Sequence, residues 1–407
     1  MKVNGQNLGD VLRKLPWQYK IVVACSAFFI LYAIVYVPYV FVYLRVKPKE
    51  IISAPVEITG VIQPMGALDP AVAVDPRTRQ VWMAFASQEK NYGINNFNNT
   101  MNVRLAAAKA NTNCKLWDTR MAGFESKADE IVAPDGQTIL RTGEWRVETP
   151  ALVYDPGDAG KEWKLYAYKY FWDNDPNDAM TVARHYGAIV YKSASDPEGE
   201  WSAEQWLFAP GPGYPPSPYQ QTVLLQLNQL DASLQNVKAY ARPSVISKDG
   251  LLVMTLSAFT DGVTPDKVIM IASDNHGNSW HYVGTVLKRE DITAIDPTGH
   301  LEGATLLEQN GNVYFAAVPG NTEKRSAGTL IMPFEDFSKG LLQRDVHTNV
   351  PMIIHQVPLQ SSATGTFGGG SAAYADVCKG LLITAQDGAN GNFRIYRTPF
   401  KPDEQQQ

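Results

Sequence analysis

Residues 302–318, "EGATLLEQNGNVYFAAV", carry two apolar alternating runs joined by Asn310 and Gly311 and opened by a carboxylate, Glu302. An Asn-Gly pair between such runs predicts a tight hairpin, because both residues tolerate the positive φ that a two-residue turn needs. The pattern recurs in "DPAVAVDPRTRQVWMAFAS" from Asp69, "TPALVYDPGDAGKEWKLYAYKYF" from Thr149, "RPSVISKDGLLVMTLSAF" from Arg242 and "GGSAAYADVCKGLLITAQ" from Gly369. In every unit the second residue is Pro or Gly and the third is Ala or Ser; a strand, a turn and a more apolar strand follow. Small side chains at one fixed place imply crowding there, as where innermost strands converge on a common axis.

Four of the units continue into a further strand pair, seen in "GAIVYKSASDPEGEW", "KVIMIASDNHGNSW", "GTLIMPFEDF" and "NVRLAAAKANTNCKLW". The unit starts lie 80, 93, 60 and 67 residues apart, a spacing loosened by insertions such as the Pro-rich "APGPGYPPSPY" at 209–219. Such repetition predicts an all-β fold of five radial sheets, a five-bladed β-propeller over residues 61–400. Segment 51–66 is placed to add a strand to the last blade and close the ring, covering an open edge. The stretch "SDNHGNSW" at 273–280 resembles the Asp-box turn of sialidases and other propellers, with Asn275 where that turn has Asp; its expected role is structural.

Ahead of the propeller lies a different kind of sequence. Residues 21–44 contain no charge and as a helix would span roughly 36 Å, enough to cross a bilayer about 30 Å thick. They predict one transmembrane helix that stays attached, since no small-residue cleavage site ends the apolar run. Residues 1–20 form a tail that could lie on the membrane surface, 45–60 a linker, and 401–407 a polar tail. The expected orientation places the propeller outside the cytoplasm, periplasmic or extracellular. Among the 407 residues, the first fifty carry seven Lys and Arg against two Asp and Glu; with a net charge of −5 overall, the rest of the chain is at −10. That acidity argues against nucleic acid as a partner. Cys114 and Cys378 would pair in an exported domain, or remain two buried thiols. The six His residues show no metal-ligand spacing, no cofactor is called for, and nothing points to a structural calcium ion.

If the units are blades, Asp69, Thr149, Arg242, Glu302 and Gly369 ring one end of the axis. Two carboxylates facing each other across a cavity are the minimum equipment for glycoside hydrolysis, one activating water and the other protonating the leaving oxygen. On "LDPAVAVD", "LEGATLLEQNGNVYF" and "GGGSAAY" the chain resembles the five-bladed propeller glycosidases of the arabinanase and β-xylosidase type, over most of residues 60–400. The resemblance implies Asp69 as general base and Glu302 as general acid in an inverting reaction. It also marks two departures. The family's third carboxylate, in an Asp-Pro-Ser-Val context, is here Arg242, and its axial fifth-blade His gives way to Gly369 and Gly370.

Glu148 and Asp231 are candidates for the missing orienting carboxylate, and Arg242 for an ion-pair partner or an anion-binding group. Trp145, Tyr168, Trp172 and Tyr240 are candidates for stacking on a sugar ring, although most aromatics of such a fold belong to the core. Two functions stand: a membrane-anchored carbohydrate-active enzyme, or a propeller that has lost hydrolysis and binds a ligand or a protein partner in a membrane complex.

Overall fold

A computed structural model describes residues 55–61, 64–90, 99–133, 135–173, 186–209, 225–261, 264–295, 299–321, 328–357, 371–387, 392–398 and 400, with residues 2–3, 6–7, 13, 16 and 17 near the amino end. The chain separates into two compact units, Met1–Lys49 and Glu50–Gln407. In the first, Lys2–Val3 pairs with Gln6–Asn7. Segment 21–44, read above as a transmembrane helix, lies outside the described residues. Among the described residues no helix is long and apolar enough to cross a membrane.

The second unit is a five-bladed β-propeller. The inner strands are Pro64–Val74, Ile139–Tyr154, Ala239–Lys248, Gly299–Gln309 and Ala372–Ala375, each followed by an antiparallel meander running outward. The third blade is a plain four-stranded sheet, ending in His281–Lys288. The second gains Lys127–Val132, paired with the first half of its long inner strand, and Leu225–Gln226 at its outer edge. At Asn310-Gly311 the hairpin forms as the pattern predicted, with both residues at positive φ and Gln309 opposite Asn312.

Hydrophobic packing sits between the blades. Five clusters of buried side chains fill the five interfaces, joining blades one to two, two to three, three to four, four to five, and five back to one. Trp163 and Phe171 fill the first interface, Tyr166, Phe208 and Trp280 the second, and Phe315 with Met332 the third. The Asp-box turn has the structural role expected of it. Asn275 accepts from the Ser279 amide, and the Trp280 ring stands edge-on to Tyr166 and Phe208 of the neighbouring blade.

Ring closure matches the reading of segment 51–66 in part. Pro55 and Val56 pair with the last blade, opposite Tyr396 and Ile395, and Gly66 lies against the backbone of Phe393 in the same blade, whereas Glu57–Thr59 turns away to run parallel with the outer strand of the first blade, Leu116–Phe124. Residues from Pro64 onward already belong to the first inner strand. A disulfide between Cys114 of the first blade and Cys378 of the fifth fastens the same seam, across 264 residues of sequence. Both sulfurs are buried.

Candidate functional site

The small third residue of each unit follows from how the inner strands pack. An axial channel of about 370 Å³ is lined by all five of them, from Pro70, Pro150 and Pro243 at one end to Asn310 and Asp376 at the other. Ser244 accepts the Leu306 amide through its hydroxyl, and Thr305 donates to the carbonyl of Ala372, so adjacent inner strands are stitched by short polar groups.

At the first position of the units the strands break register in the same way. Asp69-Pro70 together face the single residue Phe85 of the neighbouring strand, Thr149-Pro150 face Ala167, and Arg242-Pro243 face Leu256. Each is a β-bulge, and Asp69, Thr149 and Arg242 adopt φ of 54°, 49° and 55°. A left-handed backbone at a non-glycine residue costs roughly 1–3 kcal/mol, and such strain collects at functional sites. For β-branched Thr149 it is an outlier. Glu302 is the extra residue of the corresponding bulge in the fourth blade, between Leu301 and Gly303. Its side chain lies outside the described residues, as do Gly369 and Gly370.

The bulges bring the candidate groups together around Asp69. Its carboxylate is 3% exposed and accepts hydrogen bonds from the amide of Ser371, at 3.0 Å, and from that of Thr149, while its own N–H donates to the Thr384 hydroxyl at 2.8 Å. Two other blades thus hold this residue, and both supply an amide to its side chain. Burial and the nearby Glu148 carboxylate push its pKa up to about 7, against the opposing pull of Arg242 and the two amides. Glu148 and Arg242 are both half-buried. The Tyr170 hydroxyl donates to Glu148 at 3.1 Å, and Tyr170 is itself stacked on Tyr168, with ring centroids 5.2 Å apart. The hydroxyl of Thr149 is buried and has no hydrogen-bond partner among the described residues.

Other candidates sit elsewhere. Trp145 is buried with its ring edge-on to Phe171 and Trp206, and its indole N–H donates to Asp129. Tyr240 is 2% exposed in the interface between blades two and three, its hydroxyl donating to Asn228. Both rings are core, so neither offers a face to a sugar. Tyr168 is buried likewise, and Trp172 is half-buried with the Arg146 guanidinium 4.8 Å from its ring centre. Asp231 is exposed and caps a short 3₁₀ turn through the Ser233 amide, and it is not among the groups that act on Asp69. The contributions of the Ser371 and Thr149 amides and of the Thr384 hydroxyl escaped sequence reasoning, because a backbone donor leaves no mark in a residue pattern and Thr384 is brought to Asp69 from a distant position by closure of the ring. Among the described residues no group of three or more His, Cys, Asp or Glu is placed to hold a metal ion.

An acidic group poised near neutrality, fixed by backbone donors beside a second carboxylate and a guanidinium, is equipped to accept or return a proton. No family model matches the chain, and no curated protein matches it in sequence. Similar solved structures include an α-L-arabinofuranosidase from Lactobacillus brevis, 13% identical over 86% of this chain and 96% of that one, with a TM-score of 0.47. A family 117 glycoside hydrolase from the marine bacterium Zobellia galactanivorans is 12% identical over 84% and 88%, TM-score 0.44. An α-L-arabinofuranosidase from Fusarium graminearum is 11% identical over 88% and 99%, TM-score 0.44.

Proposed function

We propose that the propeller is a glycosidase that hydrolyses a glycosidic bond with inversion, using Asp69 as the general base and Glu302 as the general acid. The observation that carries this reading is Asp69 itself: a buried carboxylate at the converging ends of the inner strands, aimed by a strained bulge and held by amides from two other blades. In the step proposed, the Asp69 carboxylate takes a proton from water as the water oxygen bonds to the anomeric carbon; the glycosidic C–O bond breaks and Glu302 gives its proton to the departing oxygen. The enzyme regains its starting protonation by exchange with solvent. Segment 21–44 would anchor the propeller in a membrane, and the Cys114–Cys378 disulfide suits an oxidising compartment on the far side of it.

A second reading, a ligand-binding propeller without hydrolysis, is favoured by one observation. Arg242 stands where the resembled family has a carboxylate, and its charge acts on Asp69. The two separate by assaying the full-length chain on aryl glycosides and arabino- and xylo-oligosaccharides. Hydrolysis is expected, lowered at least 10³-fold in Asp69→Asn and Glu302→Gln. Turnover unchanged in Glu302→Gln would remove Glu302 from the mechanism, and no turnover of any substrate would leave the binding reading.

A further inference from the structure

The resembled family's third carboxylate is missing from the third blade, yet the site is not left with a lone acid and a cation. We propose that Glu148, supplied by the second blade, is a positioning residue that acts through Asp69, setting when that carboxylate is free to take a proton, with Arg242 as the opposing charge. This rests on the catalytic reading of Asp69 given above.

The geometry is specific to this chain. Glu148 immediately precedes Thr149, so the same bulge that turns the Thr149 amide onto Asp69 also delivers a second carboxylate to its surroundings. Glu148 is held in place by the hydroxyl of Tyr170, which is 5% exposed and braced by the buried ring of Tyr168. The hydrogen bond and the stacked rings behind it restrain the Glu148 carboxylate, as a tuning group requires.

The groups facing this pair can be named blade by blade. The second supplies Glu148 and Thr149 on its inner strand, with Tyr168 and Tyr170 beside them, and Arg146 acts on Tyr170. The third supplies Arg242, and the fifth the uncharged Ser371 amide and Thr384 hydroxyl. The side chain of Glu302, on the fourth blade, lies outside the described residues. Like charge from Glu148 favours the protonated form of Asp69, and Arg242 favours the ionised form. Burial is the larger cause of the raised pKa and stays when Glu148 is removed, so loss of Glu148 lowers the Asp69 pKa from about 7 without returning it to that of an exposed carboxylate, and loss of Arg242 raises it.

The test is a carboxyl-carbon NMR titration of the full-length chain carrying ¹³C-labelled aspartate, with the Asp69 signal assigned by its loss in Asp69→Asn. The expected midpoint near 7 drops by about one pH unit or more in Glu148→Gln and rises in Arg242→Gln. Tyr170→Phe keeps every charge but releases Glu148, and moves the midpoint in the direction of Glu148→Gln by a smaller amount. A midpoint unmoved in both Glu148→Gln and Tyr170→Phe overturns the proposal. The readout is independent of turnover. An inactive chain whose midpoint moves as stated contradicts the glycosidase reading alone, and an active chain whose midpoint stays fixed contradicts this one alone.

Discussion

Asp69 shows why a site residue can be expensive to keep. Its carboxyl has a pKa of about 7 in the folded chain against 3.8 for an ordinary Asp, so below pH 7 the folded state holds a proton that the unfolded state has released. Its contribution to stability is complete below about pH 4 and is lost as pH rises through 7, a change of roughly 4 kcal/mol. Asn at this position cannot ionise. Chemical denaturation of the wild type and Asp69→Asn at pH 4.5 and 7.5 should show the wild type losing stability relative to the variant at the higher pH. Parallel behaviour of the two chains would mean that burial does not hold Asp69 as described. The identity of this residue was legible from "LDPAVAVD", because the repeats align its carboxylate with Glu302. Its environment was not, because two of its partners are backbone amides brought from distant positions by closure of the ring.

The inner strand with its X-Pro bulge is the element that positions the site, and its hairpin end is fastened as deliberately. Lys164 of the second blade is fully buried and pairs with Asp155, at 3.6 Å, and with Asp158; His276 of the Asp-box turn reaches Asp155 from the third blade at 3.0 Å. Removing the ammonium takes the Lys164 cation from the buried Asp155, which keeps its contact with His276 across the blade boundary, and from the half-buried Asp158. Lys164→Met should therefore cost roughly 3 kcal/mol, measured as a shift in the denaturation midpoint. A cost near zero would show that the blades are held by their apolar interface alone. At this scale the sequence was informative: the Asn310-Gly311 hairpin and the Asp-box form as their turn chemistry requires. The bulges were less visible, since Thr and Arg ahead of Pro give no local hint of a left-handed backbone. Only the repeated break in register across blades exposes it. For the aromatics, residue type was a poor guide, because Trp145 and Tyr240 are as well suited to an inter-blade core as to a sugar.

Over the whole molecule, stability depends on closing a ring of sheets whose first and last members are far apart in sequence. Among the features that join that seam are the apolar cluster around Phe85, Trp117 and Leu382, the bridge from Pro55 to Tyr396, the hydrogen bonds of Asp69 to Ser371 and Thr384, and the Cys114–Cys378 disulfide. A cross-link over so long a separation removes loop-closure entropy from the unfolded chain worth about 5 kcal/mol or slightly more. Paired Cys114→Ser and Cys378→Ser substitution, or reduction of the wild type, should lower the denaturation free energy by about that amount. An unchanged midpoint would assign closure to the apolar seam. Five blades were countable in the sequence because the unit starts repeat. The pairing of the leading segment with the last blade is met at Pro55 and Val56, but the turn of Glu57–Thr59 to the first blade was not legible, because no local pattern encodes it.

The measurement that tests the central claim most directly is the pH dependence of glycoside hydrolysis by the full-length chain. If Asp69 is the general base, kcat/KM should fall tenfold per pH unit below about pH 7, where the carboxylate is protonated, and Asp69→Asn should be inactive throughout. Hydrolysis that persists in Asp69→Asn, or a rate that keeps rising as the pH falls from 7 to 5, would contradict it.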